Sequence, residues 1–208
     1  MARYINSPWG TIIGKTSTGQ VGSTWKGIAY MKSLPMSYND AKTLIQEKTR
    51  RRFNILNELS KLFRHVTKIG FKRAAVKMTE HNYFTKVNNG SVIVDDTLDA
   101  TIEYQGILVS EGGLEGTNAT LSATRVGQEI TVTWNTAFDA ERQNDEVLFA
   151  YKQPEIEVVM TKIGTNVRSD ETAIINLPKS TVGNVYVWIF FKDPVTQVCS
   201  RSEGLLVL

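Results

Sequence analysis

Glu129-Ile130-Thr131-Val132-Thr133-Trp134 alternates polar and apolar residues with a period of two, the pattern of a strand with one buried and one exposed face. Ile130, Val132 and Trp134 share the apolar face, so the tryptophan belongs to a core. Similar stretches surround it. Thr101 to Val109, Ala119 to Val126, Glu146 to Lys152, Glu157 to Thr161, Thr172 to Leu177, Val185 to Phe191 and Gln197 to Val207 are rich in Val, Ile, Thr and aromatics. Loops with Gly, Pro, Asn or Asp separate most of them. Seven or eight strands in about 110 residues is the spacing of an antiparallel sandwich. Cys199 is the single cysteine, so the paired cysteines of an antibody domain are absent and a fibronectin-III-like sandwich is the closer description. It reads as a small buried or edge-strand residue.

Upstream of the strands the pattern changes twice. Residues 39–68 read as a long helix, with Asn39 as N-cap, Asp40 in the first turn and Gly70 as the stop after Lys68. Ile45, Leu56, Leu59, Phe63 and Val66 give it one apolar face, widened by Leu44, Phe53, Ile55 and Leu62. A shorter helix is expected over 73–88. Residues 9–35 are punctuated by Gly10, Gly14, Gly19, Gly22 and Gly27, with short apolar runs between, and read as hairpin strands or an extended arm. The arm has too few apolar residues for a core of its own and must pack on something else. The fold class is therefore α+β, mainly β: an N-terminal extended arm and two helices, then an Ig/fibronectin-III-like antiparallel β-sandwich.

Charge divides the chain at nearly the same place. Residues 1–94 carry 16 Lys+Arg against 4 Asp+Glu, a net +12; residues 95–208 carry 8 against 17, a net −9. The whole-chain net of +3 conceals the split. Two domains are expected, a basic arm and helical region over 1–94 and an acidic β-sandwich over 95–208. Lys48, Arg50, Arg51, Arg52, Arg64 and Lys68 form the expected basic face. Glu47 and Glu58 are the only acids from 41 to 79, too few to neutralise these cations along the helix. Asp139, Glu141, Asp145, Glu146, Asp170 and Glu171, in loops between strands, form the expected acidic face. Such asymmetry points to an anionic partner or to other copies of the molecule.

Motifs for chemistry are weak. Gly10-Thr11-Ile12-Ile13-Gly14-Lys15-Thr16 has three residues between its glycines where a phosphate-binding loop needs four, and no helix follows directly. His65 and His81 are the only histidines, and neither has the neighbours of an activated nucleophile. The acidic pairs lack the EF-hand pattern and read as solvated turns. The sequon Asn118-Ala119-Thr120 has meaning only in a glycosylating route. No catalytic residue, cofactor, metal or small-molecule substrate is expected. No apolar run is long enough to span a membrane, and the start lacks the features of a secretory signal. Synthesis in the cytoplasm is expected, with a virion or an extracellular assembly as the destination.

The order of short motifs resembles a known family. It begins with Val21-Gly22 and Trp25-Lys26-Gly27 in a glycine-rich segment, followed by Asn39, Gln46, Arg51, Phe53 and Gly70-Phe71. Ile102-Glu103-Tyr104, Leu108-Val109-Ser110, a glycine pair, Val132-Thr133-Trp134 and Asp145 come later. This is similar to a family found widely in Bacteroidota and known only as a domain of unknown function. The front-end signature also resembles segments of some phage-associated proteins. The resemblance implies one unit of conserved size and assigns no activity to any residue.

The expected function is a non-enzymatic, self-assembling structural protein, a virion or filament subunit. Copies would meet head to tail through complementary charged faces, with Trp9, Trp25, Lys26 and Gly27 in an arm that lies along a neighbour. The alternatives are a nucleic-acid-binding structural protein, whose basic helix faces the polyanion, and an Ig-like module that binds a surface ligand. Packing of the basic helix on the acidic sandwich of the same chain is a further reading of the charge split.

Overall fold

The structure is a computed structural model that describes residues 3–5, 11–16, 19–25, 28–34, 40–117, 121–134, 140–153, 156–179 and 183–208. Asn39 and the sequon at 118–120 lie outside the described residues. The chain forms two compact units, Met1–Lys42 and Thr43–Leu208.

The first unit is an antiparallel meander of β1 (Arg3–Ile5), β2 (Thr11–Lys15), β3 (Gln20–Trp25) and β4 (Ile28–Ser33), hydrogen-bonded in that order. Gly22 lies opposite Gly14, and a β-carbon on Gly22 would collide with the Ile12 carbonyl of β2. Its glycine is thus required by the close approach of two strands.

The second unit is three layers deep. Its centre is an antiparallel sheet of β9 (Glu146–Lys152), β10 (Met160–Val167), β12 (Val185–Lys192) and β13 (Glu203–Val207), in the order β10-β9-β12-β13. On one face lies the three-stranded sheet β11-β8-β7, built from β7 (Ser122–Val126), β8 (Glu129–Thr133) and β11 (Thr172–Asn176). Ile130, Val132 and Trp134 meet Val147, Phe149, Val187, Ile189 and Phe191 in the core between the two sheets. Each strand contributes every second residue, as the alternation over 129–134 requires.

The opposite face of the central sheet is also buried. Leu148, Ala150, Trp188 and Phe190 point away from the sandwich core and pack against α1 (Leu44–Leu62), α2 (Arg64–Gly70) and α3 (Glu80–Val87). Ile55, Leu56, Leu59 and Phe63 form the stripe of α1 and its C-terminus that covers them. The Phe63 and Trp188 rings meet edge to face, with centroids 4.8 Å apart. The hairpin of β5 (Val92–Val94) and β6 (Ala100–Ile102) completes this layer. With both faces covered, β12 reads as an almost unbroken apolar run, Val185-Tyr186-Val187-Trp188-Ile189-Phe190-Phe191.

The α+β, mainly β class read from the sequence is the class observed, but several boundaries move. The helices share a core with the sandwich, so the compact units divide at Lys42/Thr43 and not at 94/95. Charge did not mark that boundary because the cations lie mostly on the solvent side of helices whose other side is apolar. Helix α1 starts at Leu44 under a capping box: the Thr43 hydroxyl accepts from the Gln46 N–H, and the Gln46 side chain accepts from the Thr43 N–H. Phe63 (φ −85°, ψ 5°) separates it from α2. The expected helix over 73–88 is confined to Glu80–Val87.

The expected strand over 101–109 ends at Ile102. Beyond it the backbone bonds to side chains rather than to a ladder. Asn88, fully buried, accepts from the Leu108 N–H and donates to the Leu108 carbonyl. The Ser202 hydroxyl accepts from the Val109 and Ser110 N–H groups, so the N–H groups of this buried segment are satisfied without a strand partner.

Candidate functional site

Three surfaces were singled out by the sequence, and each is placed differently by the fold. In the N-terminal sheet, Trp9, Lys26 and Gly27 lie outside the described residues, and Trp25 closes β3 with its backbone paired to Ile28. The described apolar side chains of this unit are none of them buried. β4 is exposed along its whole length, with Ile28 67% and Met31 53% accessible. β1 and β4 are the edge strands. Edge strands carry unpaired main-chain groups that can accept a further strand.

The basic face is broken into two groups. Lys48 forms an ion pair with Asp96 in the turn between β5 and β6. Arg52 stands one helical turn before Ile55 and Leu56, on the line that leads into the core, and is half-buried. Arg50 and Arg51 are exposed. Arg64 and Lys68 lie on α2, about 21 and 27 Å from Arg50 along the helices at 1.5 Å per residue. There they join Lys61 around a cleft of about 330 Å³ between the end of α1, α2 and the first turn of α3, also lined by Ser60, Thr67, Thr79, Glu80 and His81. The Lys61, Arg64, Lys68 spacing of three and four residues is that of one side of a continuous helix, and the break at Phe63 leaves all three on the cleft; the signal is present in the sequence but hidden by the more conspicuous run at 50–52.

The acidic residues gather at one end of the sandwich, though not as one face. Glu146 opposes Val167 across β9 and β10, and Asp170 and Glu171 follow in the turn that enters β11. Glu141, Asp170 and Glu171 are exposed. Asp139 lies outside the described residues. Glu146 is paired with Lys192 at 2.9 Å, and Asp193 with Arg142 at 3.1 Å. The Thr196 hydroxyl and the Val195 and Thr196 N–H groups hold the Asp193 carboxyl down to about 2.

Asp145 departs from the expected surface position. It is 2% exposed and sits 3.3 Å from the guanidinium of Arg168, which is itself 1% exposed and lies 4.0 Å over the Phe191 ring. Arg168 also donates to the Glu115 carbonyl at 2.6 Å, and its own carbonyl accepts from the Trp134 indole N–H at 2.8 Å. Burial pushes the Asp145 carboxyl up, while the Arg168 charge opposes that shift. Burial likewise pulls the guanidinium down against the pull of Asp145. The pair ties the two sheets and the loop at 115 together, and is an internal structural group. Cys199 is buried, and burial raises its thiol.

Among the described residues no three His, Cys, Asp or Glu side chains converge as metal ligands would, and no helix is long and apolar enough to cross a membrane. Residues 11–200 match a family of unknown function, DUF6266. The chain belongs to that family. No curated protein matches it. The matched range runs from β2 through the helical layer to the end of β12 and the loop after it, leaving out β1 and β13, so most of the N-terminal meander and of the three-layer unit fall in one family unit.

Proposed function

We propose that this chain is a non-enzymatic structural subunit that assembles with copies of itself, in a virion, a filament or a comparable array, and that the N-terminal sheet makes the contact between copies. One observation carries the reading: four strands are bonded into a sheet in which none of the large apolar side chains whose burial is described, Ile12, Ile13, Val21, Ile28, Tyr30 and Met31, is buried. A sheet is stable when one face presses on another layer, and a single uncovered layer of this size is marginal in water. A second copy supplies that layer in this reading, and the open β4 edge adds main-chain hydrogen bonds. Residues 1–42 carry five Lys+Arg against one Asp, and Glu141, Asp170 and Glu171 on the sandwich end give a receiving surface of opposite sign. Contact between two different surfaces is heterologous, so it closes into a ring or propagates.

The test is light scattering of the full chain over a salt titration, beside a chain that begins at Thr43. The full chain is expected to be oligomeric at low salt and to dissociate as salt screens the charges. The shortened chain is expected to be monomeric with a cooperative melt. A full chain that stays monomeric at high concentration and low salt overturns the proposal.

A further inference from the structure

We propose that the cleft between α1, α2 and the first turn of α3 binds a phosphate group. The inference is independent of self-assembly and begins with Ser60. This serine is 3% exposed and lines the cleft, and its hydroxyl has no hydrogen-bond partner among the described residues. A serine inside a helix ordinarily bonds back to a carbonyl one turn earlier. Thr67, two turns further on, does so: its hydroxyl donates to the Phe63 carbonyl at 3.1 Å. Ser60 is left as a buried donor beside an open cleft, and buried polar groups in native proteins nearly always have partners.

The charges around it have no partner either. Lys61, Arg64 and Lys68 line the same cleft, and none forms an ion pair among the described residues. Glu80 lines it too, which leaves a surplus of two positive charges before His81 is considered. The third contribution is the N-terminus of α3. The Thr79 hydroxyl accepts from the Asn82 N–H at 3.2 Å, while the Glu80 and His81 N–H groups have no acceptor among the described residues. Free N–H groups at a helix start, together with the helix dipole, favour an anion. Donors therefore arrive from three helices. A tetrahedral oxyanion, with acceptors on several sides, fits such a set better than a planar carboxylate does.

Two sources of a phosphate group are set against each other, free phosphate and the backbone of a nucleic acid. The experiment titrates the full chain with inorganic phosphate and, separately, with a short single-stranded oligonucleotide, by calorimetry at low salt. Both titrations are repeated on the exposed-residue variant Arg64→Gln/Lys68→Gln and on Ser60→Ala. Binding of phosphate that weakens about tenfold or more in the double variant supports the site with free phosphate as ligand. Binding of the oligonucleotide alone, weakened in the same variants, supports it with the backbone diester as ligand. Neither probe binding, or both binding the variants as tightly as the parent, overturns it. Ser60→Ala keeps the cations and removes only the hydroxyl. Its melting temperature without ligand is expected to equal or exceed that of the parent, while the ligand-induced rise shrinks. An undiminished rise in Ser60→Ala overturns the site as placed.

Discussion

Arg168 sets a measurable test at the scale of one residue. Its charge is buried between an aspartate and an aromatic ring, so removing either charged partner leaves the other desolvated and alone. Arg168→Met is expected to destabilise the fold by about 3–5 kcal/mol in denaturant unfolding. Adding Asp145→Leu to that variant is expected to recover part of the loss, because an apolar pair of similar volume carries no unpaired charge. A single variant within about 1 kcal/mol of the parent would show that the pair is not the tie inferred here. The role of Asp145 could not be read from the sequence. Asp145-Glu146 has the look of a solvated turn, and only the fold brings Arg168, 23 positions away, beneath it. The alternation that placed Trp134 in a core was local, and the structure agrees: Trp134 is buried.

Gly70 shows how an element's end is decided by its neighbour. The sequence marks it as a helix stop, and α2 does end there, but the cap residue is Phe71 and the glycine lies against another segment. A β-carbon at Gly70 would collide with the Val109 carbonyl oxygen and lie 2.7 Å from the Ser110 β-carbon. In an isolated helix Gly→Ala stabilises by about 1 kcal/mol. Here overpacking opposes that gain, and Gly70→Ala is expected to lower stability by about 1–3 kcal/mol. The sign decides: a higher melting temperature would mean that the 109–110 segment yields freely. The other element boundaries divide along the same line. Glu146–Lys152 was legible to the residue because its strand signals are local. The start of α1 had a legible signal in Thr43-Leu44-Ile45-Gln46, a capping box, which the more familiar Asn39 obscured. The end of β6 had none, since the bonds that replace its ladder come from Asn88 and Ser202.

For the molecule as a whole, charge and packing give different divisions, and an experiment separates them. A cut at 94/95, where charge changes sign, removes the helices from the outer face of the central sheet. Trp188, Phe190, Leu148 and Ala150 would then face water. Full burial of a large apolar side chain contributes about 1.5–3 kcal/mol, so uncovering Trp188, Phe190 and Leu148 forfeits an amount comparable with the 5–15 kcal/mol net stability of an ordinary domain. The sequence carried a hint of this cover: a strand that is apolar at consecutive positions, as Val185 to Phe191 is, has no face left for solvent. The cations of α1 and α2 lie on the other side of those helices and report nothing about what lies beneath. A chain of residues 43–208 is therefore expected to melt cooperatively and to bind little of a hydrophobic dye. A chain of residues 95–208 is expected to lose its cooperative transition and to bind the dye strongly. If 95–208 instead melts as sharply as 43–208, with no dye bound, the sandwich is self-sufficient and the helices are an accessory layer. The charge boundary would then be the domain boundary after all.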